Sequence, residues 1–139
     1  MPARALRANA FFDTNVLIYA VAEGDPRAAR AEALLAAGGI LSVQVLNEFA
    51  AAARRKLRMP WNNVKEALDA FRILCPSPIA ITIDIHEAAL QIAEQHEFGI
   101  HDALIVASAL KAGCAVLYSE DFQGGQVLDG RLTIRNPFV

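Results

Sequence analysis

The sequence predicts an α/β fold in which a mostly parallel sheet is covered on both faces by helices. Three observations predict it. Short apolar runs alternate with helical patterns along the whole chain, which is how strand–helix–strand units read. The runs are apolar throughout instead of alternating with polar residues, as in strands buried on both faces. Finally, 139 residues with 55% hydrophobic and 20% charged content suit one packed domain spanning 1–139, with a single core.

The elements follow in order. Ala10-Phe11-Phe12 reads as a buried strand that stops at Asp13-Thr14-Asn15, where Thr14 or Asn15 can cap a helix over 16–22. Glu23-Gly24-Asp25-Pro26 breaks the chain. Asp25 as N-cap and Pro26 as first helical residue then open a helix over 28–37, which Gly38-Gly39 ends. Ile40-Leu41-Ser42 is a second short strand. A long helix over 43–57 follows, with Val45, Leu46, Phe49, Ala53 and Leu57 on its apolar face. Beyond Pro60, Asn62 or Asn63 can cap a helix over 64–74, which Pro76 and Pro78 end.

Residues 79–83 form a β-branched strand, and Asp84 with Glu87 resembles a capping box for a helix reaching Glu97. Another helix over 101–111 ends at Gly113. Residues 115–118 form a fourth strand, 119–130 a polar loop, and Leu132-Thr133-Ile134 a last strand. The expected order is β-α-α-β-α-α-β-α-α-β-β. In such sheets ligands bind beyond the carboxyl ends of the strands.

Several classes are excluded or disfavoured. A net charge of −2 does not provide a general polyanion-binding surface, so contact with nucleic acid needs a local basic patch. Cys75 and Cys114 lack zinc-site spacing and read as small core residues of a reduced, cytosolic chain. The opening stretch, with Arg4 and Arg7, does not read as a signal peptide, because Asp13 interrupts the apolar run that follows. No apolar stretch reaches the roughly 20 residues of a membrane span.

Four acids fall where this architecture brings strand ends and helix starts together: Asp13, Glu48, Asp102 and Asp121. Asp13 ends the first strand, and reads equally as a helix cap. Asp102 shares a helix face with Ile105 and Val106, and an acid on an apolar stripe needs a partner or a metal. Glu48 borders the apolar face of its helix near Val45 and Ala52. Asp121 lies in the loop after the fourth strand, with Glu120 as an alternative. Asp25 and Asp84 read as caps; Glu23, Glu32, Glu66, Asp69, Glu94 and Glu97 read as solvated. Clustered carboxylates repel, and one is protonated unless a cation intervenes. Hard oxygen ligands favour Mg²⁺ or Mn²⁺, and such sites commonly run phosphodiester hydrolysis with metal-activated water. His101 reads as a surface or supporting residue, and His86 and His96 as surface histidines. The basic run Arg54-Arg55-Lys56, with Arg58, either contacts phosphate or complements a helix C-terminus.

These residues resemble the motifs of PIN domains. Phe12-Asp13-Thr14-Asn15-Val16-Leu17 is similar to the opening D-T/S-N motif, and Val45-Leu46-Asn47-Glu48-Phe49 to the second. The run from His101 through Asp102 to Ala109 is similar to the third, and Leu117-Tyr118-Ser119-Glu120-Asp121-Phe122 to the fourth, T/S-x-D. The resemblance implies a three-layer PIN-like α/β/α fold and a Mg²⁺- or Mn²⁺-dependent ribonuclease. Asp13, Glu48, Asp102 and Asp121 would be its acids, and Asn15 and Ser119 their hydrogen-bonding support. Within the family the chain looks most like the VapC toxins, and that resemblance implies a bacterial or archaeal cytoplasmic protein, an RNA substrate, a cognate antitoxin and a homodimer. Val16, Leu17, Tyr19 and Trp61 would then serve either a partner groove or the core. The competing reading keeps the fold and drops the chemistry, leaving an inactive RNA- or protein-binding module. A receiver domain or haloacid-type phosphatase fits poorly, because no lysine follows the fourth strand and Asp13-Thr14-Asn15 lacks the second acid of a D-x-D motif.

Overall fold

The computed structural model describes residues 9–139; the opening stretch with Arg4 and Arg7 lies outside them. Strand β1 (Ala10–Phe12) leads into α1 (Thr14–Val21), α2 (Ala28–Ala36), α3 (Val43–Arg55), α4 (Trp61–Leu74), α5 (Ile83–His96) and α6 (Ile100–Lys111). The chain then returns to the sheet as β2 (Val116–Tyr118), β3 (Val127–Leu128) and β4 (Leu132–Arg135). The strand order is β1-β2-β4-β3, with β1, β2 and β4 parallel and β3 antiparallel to β4. Phe11 and Phe12 point to opposite faces of β1 and are both buried. Helices therefore cover both faces, and the three-layer α/β expectation holds.

Two expected strands shrink to single bridges. Ile40 pairs with Phe11, and Ser42 with Ile79, both in parallel. The hydroxyl of Ser42 explains the first: it accepts the Val45 N–H at 3.2 Å, so the chain must turn into α3 at once. The second gives way because Thr82, not Asp84, caps α5, its hydroxyl accepting the Ile85 N–H at 3.2 Å. Asp84 instead sits in the first turn, where a negative charge complements the dipole. Ile81 and Ile83 are consequently exposed.

Other boundaries also move. Asp13 caps α1, in place of Thr14 or Asn15. Helix α4 starts at Trp61 behind Pro60 with no side-chain cap, in place of Asn62 or Asn63. Asp25 acts just before α2, where its carboxylate accepts the Arg27 N–H at 2.8 Å. The expected polar loop at 119–130 contains β3, because Asp129 and Gly130 adopt left-handed φ of 53° and 62° and fold β3 back on β4.

The core runs from the sheet into α1, α3 and α4, with Phe49 of α3 meeting Phe71 of α4 edge-on at 5.0 Å. Val16 and Leu17 are core residues, whereas Trp61 is exposed. Cys75 and Cys114 are buried, and burial pushes both thiols up to about 11, far from a thiolate nucleophile. Among the described residues no helix is long and apolar enough to cross a membrane.

Gly39 is fixed by close approach. A Cβ there would lie 2.6 Å from a ring carbon of Phe12 and 2.9 Å from the Ala10 carbonyl. Gly39→Ala is expected to cost about 1–3 kcal/mol through overpacking against β1. Gly124→Ala, with nothing within 4 Å of its Cβ, should change stability by less than about 0.5 kcal/mol. Urea midpoints of the two variants check this.

Candidate active site

The parallel pairing of Phe12 with Tyr118 decides where the chemistry lies. It aligns the carboxyl ends of β1 and β2, so the residues that follow, Asp13 and Ser119, meet. Ser119 donates its hydroxyl to Asp13 Oδ2 at 2.6 Å, and the Thr14 N–H donates to Asp13 Oδ1 at 2.7 Å. Asp13 is only 2% exposed. Burial pushes its carboxyl up from 3.8 to about 7; the bonds from Ser119 and Thr14 oppose the rise, while Asp121 and Glu48 add to it.

The flanking residues tie Asp121 and Glu48 to this centre. Asn15 Nδ2 lies 3.4 Å from Asp13 Oδ2, 3.3 Å from Ser119 Oγ and 3.2 Å from Asp121 Oδ2. The Asp121 N–H also donates to Ser119 Oγ at 3.0 Å. Glu48 is held by the Thr14 hydroxyl at 3.1 Å and by Gln44 Nε2 at 2.6 Å. Asp102 has no hydrogen bond or ion pair among the described residues. Burial raises its carboxyl, Asp121 and Glu48 raise it further, and His101 lowers it. Asp13 and Asp102 thus lie in the field of Asp121 and Glu48. None of these four acids forms a salt bridge among the described residues.

The expected residues divide clearly. Asn15 and Ser119, which the family resemblance names as support, hydrogen-bond to Asp13, and Asn15 also to Asp121. Glu120 lines the same pocket as Glu48 and Asp121, but its carboxylate accepts the Tyr19 hydroxyl and lies 3.8 Å from Arg27. The basic run also splits. Arg55 and Lys56 line an open pocket of about 790 Å³ together with Thr14, Asn15, Gln44, Glu48, His101 and Asp121. Arg54 turns away, donating to the Met59 carbonyl at 3.0 Å and stacking on Trp61 at 4.8 Å. A pocket of about 650 Å³ between α5, α6 and the β3–β4 hairpin contains none of the four acids.

Sequence reasoning missed Gln44 and Arg27, read Tyr19 only as a partner-groove or core residue, and took Thr14 only as a cap. Gln44 was findable, since it lies four residues before Glu48 on one helix face. Tyr19 and Arg27 carry no local signal toward Glu120.

The PIN domain profile matches residues 10–123. The chain belongs to the PIN family. No curated protein matches its sequence. The PIN fold recurs in solved structures. VapC20 of Mycobacterium tuberculosis, a toxin that cleaves the sarcin–ricin loop, is 24% identical with a TM-score of 0.63, covering 81% of this chain and 89% of that one. A toxin–antitoxin complex from Klebsiella pneumoniae is 21% identical with a TM-score of 0.69, covering 93% and 98%. VapBC2 from Rickettsia felis, bound to a DNA fragment from its promoter, is 18% identical with a TM-score of 0.62, covering 91% and 97%. At these identities the likeness is one of fold.

The raised Asp13 carboxyl makes stability of this PIN domain depend on pH. The native state holds a proton that the unfolded chain releases above 3.8, so the native state is favoured at low pH and loses ground as pH rises through about 7. The loss amounts to about 4 kcal/mol at most. In chelator, the protein is expected to melt at a higher temperature at pH 5.5 than at pH 8, and Asp13→Asn should flatten the difference. A melting temperature that climbs across that window would contradict this origin.

Proposed function

We propose that the chain is a metal-dependent endoribonuclease, and that it is the toxin of a toxin–antitoxin pair. One observation carries the nuclease reading: Glu48 and Asp121 line one pocket and act electrostatically on both Asp13 and Asp102, and among the described residues no cationic side chain forms a salt bridge with any of the four. Such a group lacks a positive charge, and a divalent ion supplies one. Asn15 Oδ1 supports this, as a buried side-chain atom with no hydrogen-bond partner beside Asp13 and Asp121.

Among the described residues no three carboxylate, histidine or cysteine side chains converge tightly enough to enclose an ion. The choice of Mg²⁺ or Mn²⁺ over zinc rests on the hard carboxylate oxygens of the four acids, and Mg²⁺ keeps several waters and needs only one or two carboxylates. Asp13 and Asp102 are the proposed direct ligands, with Glu48 and Asp121 completing the site through water. The metal would supply an activated water and charge stabilisation at the phosphate. The chain's own part is to hold the acids. Ser119 and Thr14 fix the Asp13 carboxylate, Gln44 and Thr14 fix Glu48, and Asn15 fixes Asp121. Arg55 and Lys56 are placed to contact RNA phosphates on the pocket wall. The toxin reading and its antitoxin are supported by the fold shared with VapC20, the Klebsiella pneumoniae toxin–antitoxin complex and VapBC2, and the homodimer by the resemblance to VapC toxins alone.

A labelled structured RNA, incubated with Mg²⁺ or Mn²⁺ or with chelator, tests the activity. Asp102→Asn is expected to lose at least about a hundredfold in cleavage, the size carried by one electrostatic group of this kind. Its circular dichroism should stay native. Undiminished cleavage by that variant would overturn the assignment, and inactivity of folded wild type on several RNAs would favour a binding module. Removing Arg55 and Lys56 together should weaken RNA binding regardless of sequence. It should also reduce the salt slope by about 1.4, or about 0.7 per phosphate contact to a single strand. Replacing Arg54 should leave that slope unchanged.

A further inference from the structure

After β2, three consecutive side chains take three directions. Ser119 turns inward to Asp13, Asp121 accepts from Asn15, and Glu120 between them is drawn to Tyr19 and Arg27. The hold on Glu120 is built from both ends of the α1–α2 connection. Tyr19 donates its hydroxyl to Glu120 Oε1. Arg27 lies 3.8 Å over the Tyr19 ring and donates to the Tyr19 oxygen at 2.8 Å. Two further Arg27 nitrogens donate to Asp25, each at 2.9 Å. Phe138 packs edge-on against Tyr19 at 5.0 Å. The result is a chain of contacts, Asp25–Arg27–Tyr19–Glu120, that ends one residue before Asp121.

We infer that Tyr19 and Arg27 are positioning residues for Asp121: by capturing Glu120 they keep a fifth carboxylate from competing for Asn15 and hold the 119–121 bend so that Asp121 faces Asn15. This rests on the proposed reading of Asp121 as a site acid. Both neighbouring acids line the pocket, and the capture decides which of them Asn15 holds. Arg27 also satisfies the charge of Glu120 locally, so that charge does not join the field around Asp13 and Asp102. The geometry is specific to an aromatic hydroxyl and a planar guanidinium; phenylalanine lacks the donor, and lysine lacks the fork.

Two measurements on the full chain test the inference. The first needs no metal: the Asn15 side-chain amide is followed by nuclear magnetic resonance, because its Nδ2 donates to Asp121. Tyr19→Phe and Arg27→Gln are expected to shift that resonance, whereas Glu120→Gln, which keeps an acceptor for Tyr19, should move it less. An Asn15 signal unmoved in folded Tyr19→Phe and Arg27→Gln would overturn the inference. The second is a titration with Mn²⁺ alone, counting bound ion by electron paramagnetic resonance. Tyr19→Phe should weaken Mn²⁺ by about tenfold, the scale of losing a residue that orients a ligand. Glu120→Gln should retain most of the affinity that Asp121→Asn loses. Equal losses in Glu120→Gln and Asp121→Asn would instead make Glu120 the site acid. If wild type takes up no Mn²⁺, the metal reading of the function fails, and the Asn15 resonance still judges the positioning role.

Discussion

The structure depends on burying one carboxylate. Asp13 sits at the end of a strand whose two phenylalanines are core residues, and the chain cannot seal β1 into the sheet without carrying the acid with it. Burial of an acid is tolerated only when donors surround it. Those donors arrive from the Thr14 backbone and, across 106 residues, from Ser119. The pairing of β1 with β2 and the hydrogen bond below it are therefore one arrangement. The same parallel register that packs Phe11 against Leu117 also sets Ser119 over Asp13.

Charge in the molecule is sorted by what lies within reach of each cation. Arg27 is committed to Asp25, Tyr19 and Glu120, and Arg54 to the Met59 carbonyl and Trp61. Arg131 pairs with Asp129 on the hairpin. Arg55 and Lys56 line the pocket without forming a salt bridge among the described residues. Among the described residues the four acids are thus left without a paired cation, and Arg55 and Lys56 stand on the same pocket wall as Glu48, Glu120 and Asp121. A net charge of −2 hides this division.

What the sequence makes legible follows the range of the forces involved. The end of β1 is clear because an aromatic run stops at Asp13-Thr14-Asn15, and the caps and breaks that bound most helices are local. The strands at 40–42 and 79–83 are misread because an apolar run says nothing about whether a neighbour continues its ladder; Ser42 and Thr82 turn each run into a helix first. The β3–β4 hairpin is signalled by Asp129-Gly130, yet the surrounding polar residues mask it. Among the acids, Asp13, Glu48 and Asp102 stand out by their place on apolar faces or strand ends. The choice between Glu120 and Asp121 is illegible, since it depends on Tyr19 and Arg27, about a hundred positions away. The divergence of Arg54 from Arg55 and Lys56 depends likewise on where helix α3 meets Trp61.

The central place of β2 has a consequence for the order of synthesis. β1 precedes the helices in the chain, but its strand-length neighbour among the described residues, Val116–Tyr118, is made after six intervening helices. A ribosome-bound chain ending before that point has Asp13, Glu48 and Asp102 but no Ser119 to receive the buried acid and no Asp121. The acids cannot assemble by stages as the polypeptide emerges. They come together only after β2 and the 119–121 bend have been made, so a growing chain carries the parts of the site without the site itself.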